Sequence, residues 1–333
     1  MGRRRRVGCL WRDRGDSMSD FLNILEFSFS VTGPIFVILA LGVWLMRIGM
    51  LNDAFVEAGS RLVFTVALPA LLFISIGKTR FEAAANFDLV AFGALATLTT
   101  FLVLEGVARR WVAQPADRGV VVQGGFRSNM GIVGLAYCVN AYGEAGLVAA
   151  SLYLGLITIL FNILAVITLG RAQHTQPSVG RLVKGIVTNP IIIGIVLALP
   201  VSWSGVALPD LVVQSGQYFA NLTLPLALLC TGASLDFKRL RLESRNTALA
   251  SVAKLVFVPL VFVLGGVAVG FRGIDLGVLL LMSSTPTAAA SYVMVRAMGG
   301  NAVLAANIIA VTTLGSILTT SAAIMVLRGF GLM

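Results

Sequence analysis

Gly124-Gly125-Phe126-Arg127-Ser128-Asn129-Met130-Gly131-Ile132-Val133-Gly134 lies inside an apolar run spanning about 119–141. About 20 apolar residues cross the hydrocarbon core as a helix, so a run of this length reads as a membrane span. Its middle, however, is built from residues that weaken a helix. Glycine loses the most backbone entropy, and Ser and Asn offer the backbone competing hydrogen bonds. The stretch therefore reads as a helix broken at membrane depth. A second stretch, Met282-Ser283-Ser284-Thr285-Pro286-Thr287-Ala288-Ala289-Ala290-Ser291, interrupts the run at about 274–297 in the same way. There Pro286 removes a donor as well. Since 286 − 129 is 157, Asn129 and Pro286 are equivalent if the chain repeats itself.

Prolines test the repeat, because the chain has only ten. Gly33-Pro34-Ile35 and Asn189-Pro190-Ile191 each read as the opening of an apolar helix, 156 residues apart. Ala67-Leu68-Pro69 and Thr223-Leu224-Pro225 are separated by the same 156, as are Phe81 and Phe237. Tyr142-Gly143-Glu144-Ala145 then matches Gly299-Gly300-Asn301-Ala302 at 157. Ten apolar segments follow, at about 24–46, 62–77, 88–107, 119–141, 145–169, 186–203, 208–234, 247–270, 274–297 and 301–327. Each repeat then holds five helices, residues 18–172 and 173–333. An odd number puts the second repeat upside down. Inverted repeats with broken helices near the midplane are a signature of secondary transporters.

Composition supports the membrane class. Hydrophobic residues make up 57% of the 333 and charged residues only 12%, against roughly 25% in soluble domains. The mean hydropathy of +0.92 leaves too little polar surface for a water-soluble body. A barrel would show alternating strands, which are absent, so the fold class is an all-α integral membrane protein. The net charge of +10 comes from basic loops between apolar runs, which argues against a nucleic-acid partner. Cys9, Cys138 and Cys230 show no metal-binding spacing, and Cys138 and Cys230 read as buried thiols. His174 is the single histidine, so no metal site or cofactor is expected.

Loops after the odd-numbered segments carry thirteen Lys and Arg, and the remaining loops with the C-terminus carry four. The positive-inside bias places the odd loops in the cytoplasm and both termini outside. Residues 1–17 contradict this with six arginines. The expectation is that translation starts at Met18 and that residues 1–17 are a disordered, dispensable extension foreign to the native chain. Without them the net charge falls to +6.

The two breaks supply the candidate substrate site: Arg127, Ser128, Asn129, Gly131, Ser284, Thr285, Pro286 and Thr287. Freed backbone groups and half-helix N-termini suit an anion, and the Arg127 guanidinium suits a carboxylate. Two roles are open for Arg127: anion binding, or snorkelling to the cytoplasmic surface. Asn221 and Thr223 join the candidates because they precede Leu224-Pro225, read as a further break. Asn162, Asn307, Thr312 and Thr313 are expected to make interhelical hydrogen bonds. Lys254 is expected to snorkel from the cytoplasmic end of its helix. No Asp or Glu falls at a helix centre, so proton or sodium coupling stays open. The absence of HExxH, GxSxG and paired membrane aspartates argues against an intramembrane enzyme, and no appended soluble domain suggests a sensor.

Phe126-Arg127-Ser128-Asn129-Met130-Gly131-Ile132-Val133-Gly134-Leu135, Thr188-Asn189-Pro190-Ile191-Ile192-Ile193-Gly194 and Pro286-Thr287-Ala288-Ala289-Ala290-Ser291 resemble bacterial members of the auxin efflux carrier family. So does Arg296-Ala297-Met298-Gly299-Gly300-Asn301 with Ala305-Ala306-Asn307. That family is similar in fold to the bile acid sodium symporters. The resemblance implies a scaffold of helices 1, 2, 6 and 7 and a transport domain of helices 3–5 and 8–10. It also implies a substrate site where helices 4 and 9 cross, elevator-type movement, and a homodimer formed through the scaffold. The implied substrates are small mono- or dicarboxylates carried across the bacterial inner membrane by efflux or exchange. A sodium-coupled symporter of an organic anion is the alternative. The fourth helix lacks a proline, and the linker after the fifth is short, so auxin itself is not implied.

Overall fold

The computed structural model describes residues 12–78, 86–173, 180, 183–184, 187–235 and 245–333. Its helices are α1 (Arg12–Arg47), α2 (Asp53–Gly77), α3 (Phe87–Trp111), α4 (Pro115–Phe126) and α5 (Met130–Ala172). They continue as α6 (Pro190–Ser204), α7 (Asp210–Ala233), α8 (Arg245–Val269), α9 (Gly273–Ser283), α10 (Ala290–Ala297) and α11 (Ala302–Gly329). No strand occurs among the described residues. Six stretches are long and apolar enough to cross a membrane: Leu22–Arg47, α2, α3, α5, α8 and α11. Shorter apolar helices are α6 and α9. The protein is a multi-pass helical membrane protein.

Local sequence sets the helix ends. Asn52, Asn86, Asn189 and Asn301 cap α2, α3, α6 and α11, each side chain accepting a first-turn N–H at 2.8–3.0 Å. These caps satisfy donors that have no intrahelical partner. Pro115 and Pro190 open α4 and α6, where a missing N–H costs nothing. The long α5 turns at Gly143, whose φ of 60° and ψ of −137° are open to glycine and costly for other residues.

Two features differ from the sequence reading. Pro34 sits inside α1, which begins at Arg12 rather than near residue 24, so the first helix is not opened by its proline. Residues 1–11 of the expected extension lie outside the described residues, as do Phe81, His174 and Phe237. The break expected at Leu224-Pro225 is absent: α7 continues through Pro225 to Ala233. One proline removes one donor, and packing on both sides holds the rest of the helix.

The polarity of this body is inverted relative to a soluble one. Leu95, Leu102, Leu264 and Leu318 face outward, while Ser28, Thr100, Thr223, Thr312, Ser316 and Thr320 are buried. Lipid provides no hydrogen-bond partners, so hydroxyls turn inward. Ser28 donates to the Ser321 carbonyl at 3.0 Å, and Thr32 and Ser321 share a hydrogen bond at 3.0 Å, joining α1 to α11. At the end where α4, α8 and α11 begin, buried Asp117 accepts from Asn246 (3.2 Å) and Asn301 (3.0 Å). Cys138 and Cys230 are buried free thiols, as read from the sequence.

Contacts trace two sets of helices, which also pack on each other where α1 meets α5 and α11 and where α2 meets α5. Helices α1 and α7 pack along each other, α2 packs on α6, and α7 lies against α2. The other set joins α3, α4, α5, α8, α9, α10 and α11. Helices α1 and α7 meet at two glycines: a Cβ on Gly42 would lie 2.3 Å from the Leu229 carbonyl oxygen, and one on Gly232 would lie 2.1 Å from that of Leu39. Small residues let membrane helices approach this closely. Gly232→Ala is expected to cost about 1–3 kcal/mol by overpacking against backbone. Gly33→Ala meets nothing within 4 Å, and it is expected to be neutral or to stabilise by about 1 kcal/mol or less. Melting midpoints of the detergent-purified variants check the pair, and equal midpoints would refute the close crossing.

Candidate functional site

Helix α4 ends at Phe126 because the glycine pair before it weakens the last turn, and Arg127 turns extended (φ −81°, ψ 103°). The chain resumes in a π-helical turn, Met130–Gly134, whose opening is held by the Asn129 carbonyl accepting from Val133 and Gly134, both at 3.1 Å. On the other side α9 ends at Ser283, and the chain stays unwound until α10 begins at Ala290. These two unwound segments cross and pair. The Asn129 N–H donates to the Pro286 carbonyl at 2.9 Å, and the Ala288 N–H donates to the Arg127 carbonyl at 3.0 Å. Ser128 stands opposite Thr287 in an isolated antiparallel bridge. The sequence reading assigned freed backbone groups to a substrate or ion; the structure corrects this, since part of them satisfy one another.

Side chains complete the joint. Thr312 on α11 accepts from the Thr287 N–H at 3.1 Å, and the Thr287 hydroxyl donates to the Gly124 carbonyl at 2.6 Å. Thr320 donates to the Ser284 carbonyl at 3.1 Å, and Thr285 to that of Met282 at 3.1 Å. Lys254, on a π-helical turn of α8 (Ala253–Phe257), is fully buried. Its ammonium donates to the Ser283 carbonyl at 2.8 Å and to the Ser128 hydroxyl. The expected snorkelling of Lys254 is thus overturned. The crossing offers oxygen partners at membrane depth, so the charge need not reach the surface.

Arg127 is also buried, 7% exposed, and does not snorkel. Its Nη2 donates to the Asn162 side-chain oxygen at 2.8 Å, and its Nη1 meets the Met294 sulfur. The guanidinium lines two adjoining cavities. The larger, about 870 Å³, runs between α2, α5, α10, α11 and the residues just after α7, and is largely apolar apart from Ser60, Arg61, Arg127, Asn162, Ser234, Tyr292 and Asn307. The smaller, about 310 Å³, is lined by Ser128, Asn129, Gly131, Thr65 and Asn189. Phe64, Arg127, Asn162, Ala289 and Ala290 belong to both. The N-terminal ends of the π-helical turn at Met130 and of α10 open onto these cavities, adding partial positive charge. No carboxylate lies within ion-pair distance of Arg127 or Lys254 among the described residues. No group of three or more His, Cys, Asp or Glu there suits a metal ion either.

Arg127, Ser128, Asn129 and Gly131 therefore come together on cavity walls. Ser284, Thr285, Pro286 and Thr287 lie buried within the joint behind them; the Thr285 and Thr287 hydroxyls and the Ser284 and Pro286 carbonyls are committed to internal hydrogen bonds, whereas the Ser284 hydroxyl has no partner among the described residues. Asn221 is exposed on α7 and accepts from Gln217 at 2.9 Å, and Thr223 bonds its own helix at the Phe219 carbonyl. Neither lines the two cavities. Asn162 and Thr312 make the interhelical bonds expected of them. Lys254, read from the sequence as an anchor, and Arg61 were not among the expected site residues. A lysine nine residues from the nearest charge, Arg245, on one apolar helix was the available signal for the first, and nothing marked the second.

Comparison with known proteins gives the family. A family described as "Membrane transport protein" matches residues 29–178 and 173–324. An uncharacterized transporter of Methanothermobacter thermautotrophicus is 24% identical over 270 residues, covering 78% of this chain and 85% of the relative. An uncharacterized transporter of Methanocaldococcus jannaschii is 22% identical over 298 residues, covering 85% of this chain and 94% of the relative. The resemblance to auxin efflux carriers read from the motifs is borne out: the chain belongs to this family of membrane transport proteins.

Proposed function

We propose that this protein is a secondary transporter of small organic anions, carrying mono- or dicarboxylates by an elevator-type movement. The observation that carries the reading is the Arg127 guanidinium. It is buried beside the crossing of two broken segments, oriented by Asn162, without a carboxylate partner among the described residues, and open to a cavity. A buried arginine in a membrane marks a substrate pathway more often than a structural need. Its planar fork matches a carboxylate bidentately. The apolar walls of the larger cavity suit the hydrocarbon part of such an acid.

Two inverted five-helix repeats are the architecture behind this reading. Their support is the pairing of equivalent breaks, with Asn129 bonded to Pro286, its counterpart at an offset of 157. The set of α1, α2, α6 and α7 corresponds to a scaffold, and the remaining helices to a moving domain that carries the crossing. The substrate cavity lies between them, since Phe64 and Arg61 belong to α2 and Arg127 to the crossing. Both termini are assigned outside the bacterial inner membrane, and a homodimer forms through the scaffold. Sodium coupling is the competing variant for the driving ion.

Uptake of labelled organic acids into proteoliposomes tests the function; transport of a sugar or cation with no carboxylate uptake would refute it. Arg127→Ala is expected to lower carboxylate affinity about 10- to 100-fold, as loss of a charge-assisted bond of about 1.5–3 kcal/mol requires. Arg127→Lys restores part of it. Unchanged affinity in Arg127→Ala would remove the arginine from the site. Arg61→Gln, at the scaffold wall of the same cavity, is expected to weaken dicarboxylates more than monocarboxylates, read as the ratio of their KM values.

A further inference from the structure

Lys254 poses a question that anion binding at Arg127 does not answer. Its ammonium is fully buried, and no carboxylate pairs with it among the described residues. Removing such a charge from water costs several kcal/mol, and an apolar side chain of similar volume would fill the space without that cost. Its ligands are hard oxygens from both broken segments: the carbonyl of Ser283 at the C-terminal end of α9, and the hydroxyl of Ser128 in the paired bridge. These two oxygens lie 3.5 Å apart, joined by the Ser128 hydroxyl. The C-terminal end of a helix carries about half a negative charge, so this spot attracts a cation. In secondary transporters, unwound carbonyls and half-helix C-termini are where coupling cations sit.

We infer that the Lys254 ammonium is a tethered cation, seated in the oxygen cluster of the crossing where an alkali ion would otherwise bind, so that neither the crossing nor anion binding beside it needs sodium. The π-helical turn at Ala253–Phe257 is the local device that presents the side chain to that cluster. Ser128 lies between the two charges in sequence and space, with Arg127 facing the cavity and Lys254 behind the bridge. The statement about anion binding rests on the proposed function; the cation assignment does not.

The test uses sodium itself, with no organic anion present. Melting midpoints of the full-length protein are measured in choline, potassium, sodium and lithium chloride at constant ionic strength. Wild type is expected to melt at one temperature in all four, and a saturable rise specific to sodium would overturn the inference. Lys254→Ala is expected to melt several degrees lower in choline and to recover in sodium or lithium. Lys254→Met fills the space without charge and is expected to show one midpoint in all four salts, and a rise specific to an alkali ion there would overturn the inference. A Lys254→Ala midpoint equal to wild type in choline, or one that no alkali ion raises, also overturns it. If Lys254→Ala fails to fold, the wild-type series still decides. Failure of carboxylate uptake in proteoliposomes would strike the transport reading and leave these midpoints untouched.

Discussion

The hydrogen bonds from the Asn129 N–H to the Pro286 carbonyl, and from the Ala288 N–H to the Arg127 carbonyl, hold the centre of this protein together. A membrane-spanning helix that unwinds exposes donors and acceptors in a medium that offers none in return, at several kcal/mol each. One broken helix would need a ligand or trapped water to be tolerable. Two broken helices that cross answer each other's backbone. The rest of the crossing reads as reinforcement of that exchange. Thr312 takes the Thr287 N–H, the Thr287 hydroxyl covers the Gly124 carbonyl, and Thr320 covers that of Ser284.

Solving the backbone problem internally leaves the side chains free for another purpose. On the proposed function, the substrate then need not repair the fold, so an empty and a loaded crossing are both stable. What the crossing retains instead is charge. Arg127 and Lys254 are both buried, on either side of Ser128, and neither has an acidic partner among the described residues. Their environments differ. Arg127 faces the cavities with Asn162 orienting one edge of its fork, whereas Lys254 is enclosed by oxygens of the joint. One cation is presented and the other is consumed by the architecture.

Much of this was legible in the chain because breaks and repeats are local facts. The Gly, Ser and Asn cluster around Arg127 and the Ser, Thr and Pro cluster around Pro286 announced two interruptions, which the structure shows crossing and pairing. Prolines were a weaker guide than glycines. Pro34 and Pro225 lie inside continuous helices, since one lost donor is tolerated when neighbours pack on the helix, while the glycine-rich stretch before Arg127 does end one. The site was half legible. Arg127, Ser128, Asn129 and Gly131 line cavities, but Thr285 and Thr287 proved to be internal ties. A hydroxyl at a break looks the same in sequence whether it faces a ligand or a carbonyl across the joint.

By itself the sequence determined that this is a helical membrane protein of the transport family, broken at two matched places, because hydropathy, helix-weakening clusters and spacing are properties of the chain alone. Only the tertiary structure decided what the breaks do with their freed groups and where the buried cations point. Those outcomes depend on partners roughly 120 to 160 residues away, Lys254 for Ser128 and Pro286 for Asn129, which no local pattern specifies. A charge in an apolar run has two affordable positions, the surface or a polar cluster in the interior. For Lys254 the interior cluster exists only once α4, α8 and α9 have met, and that meeting turned a residue read as an anchor into the centre of the crossing.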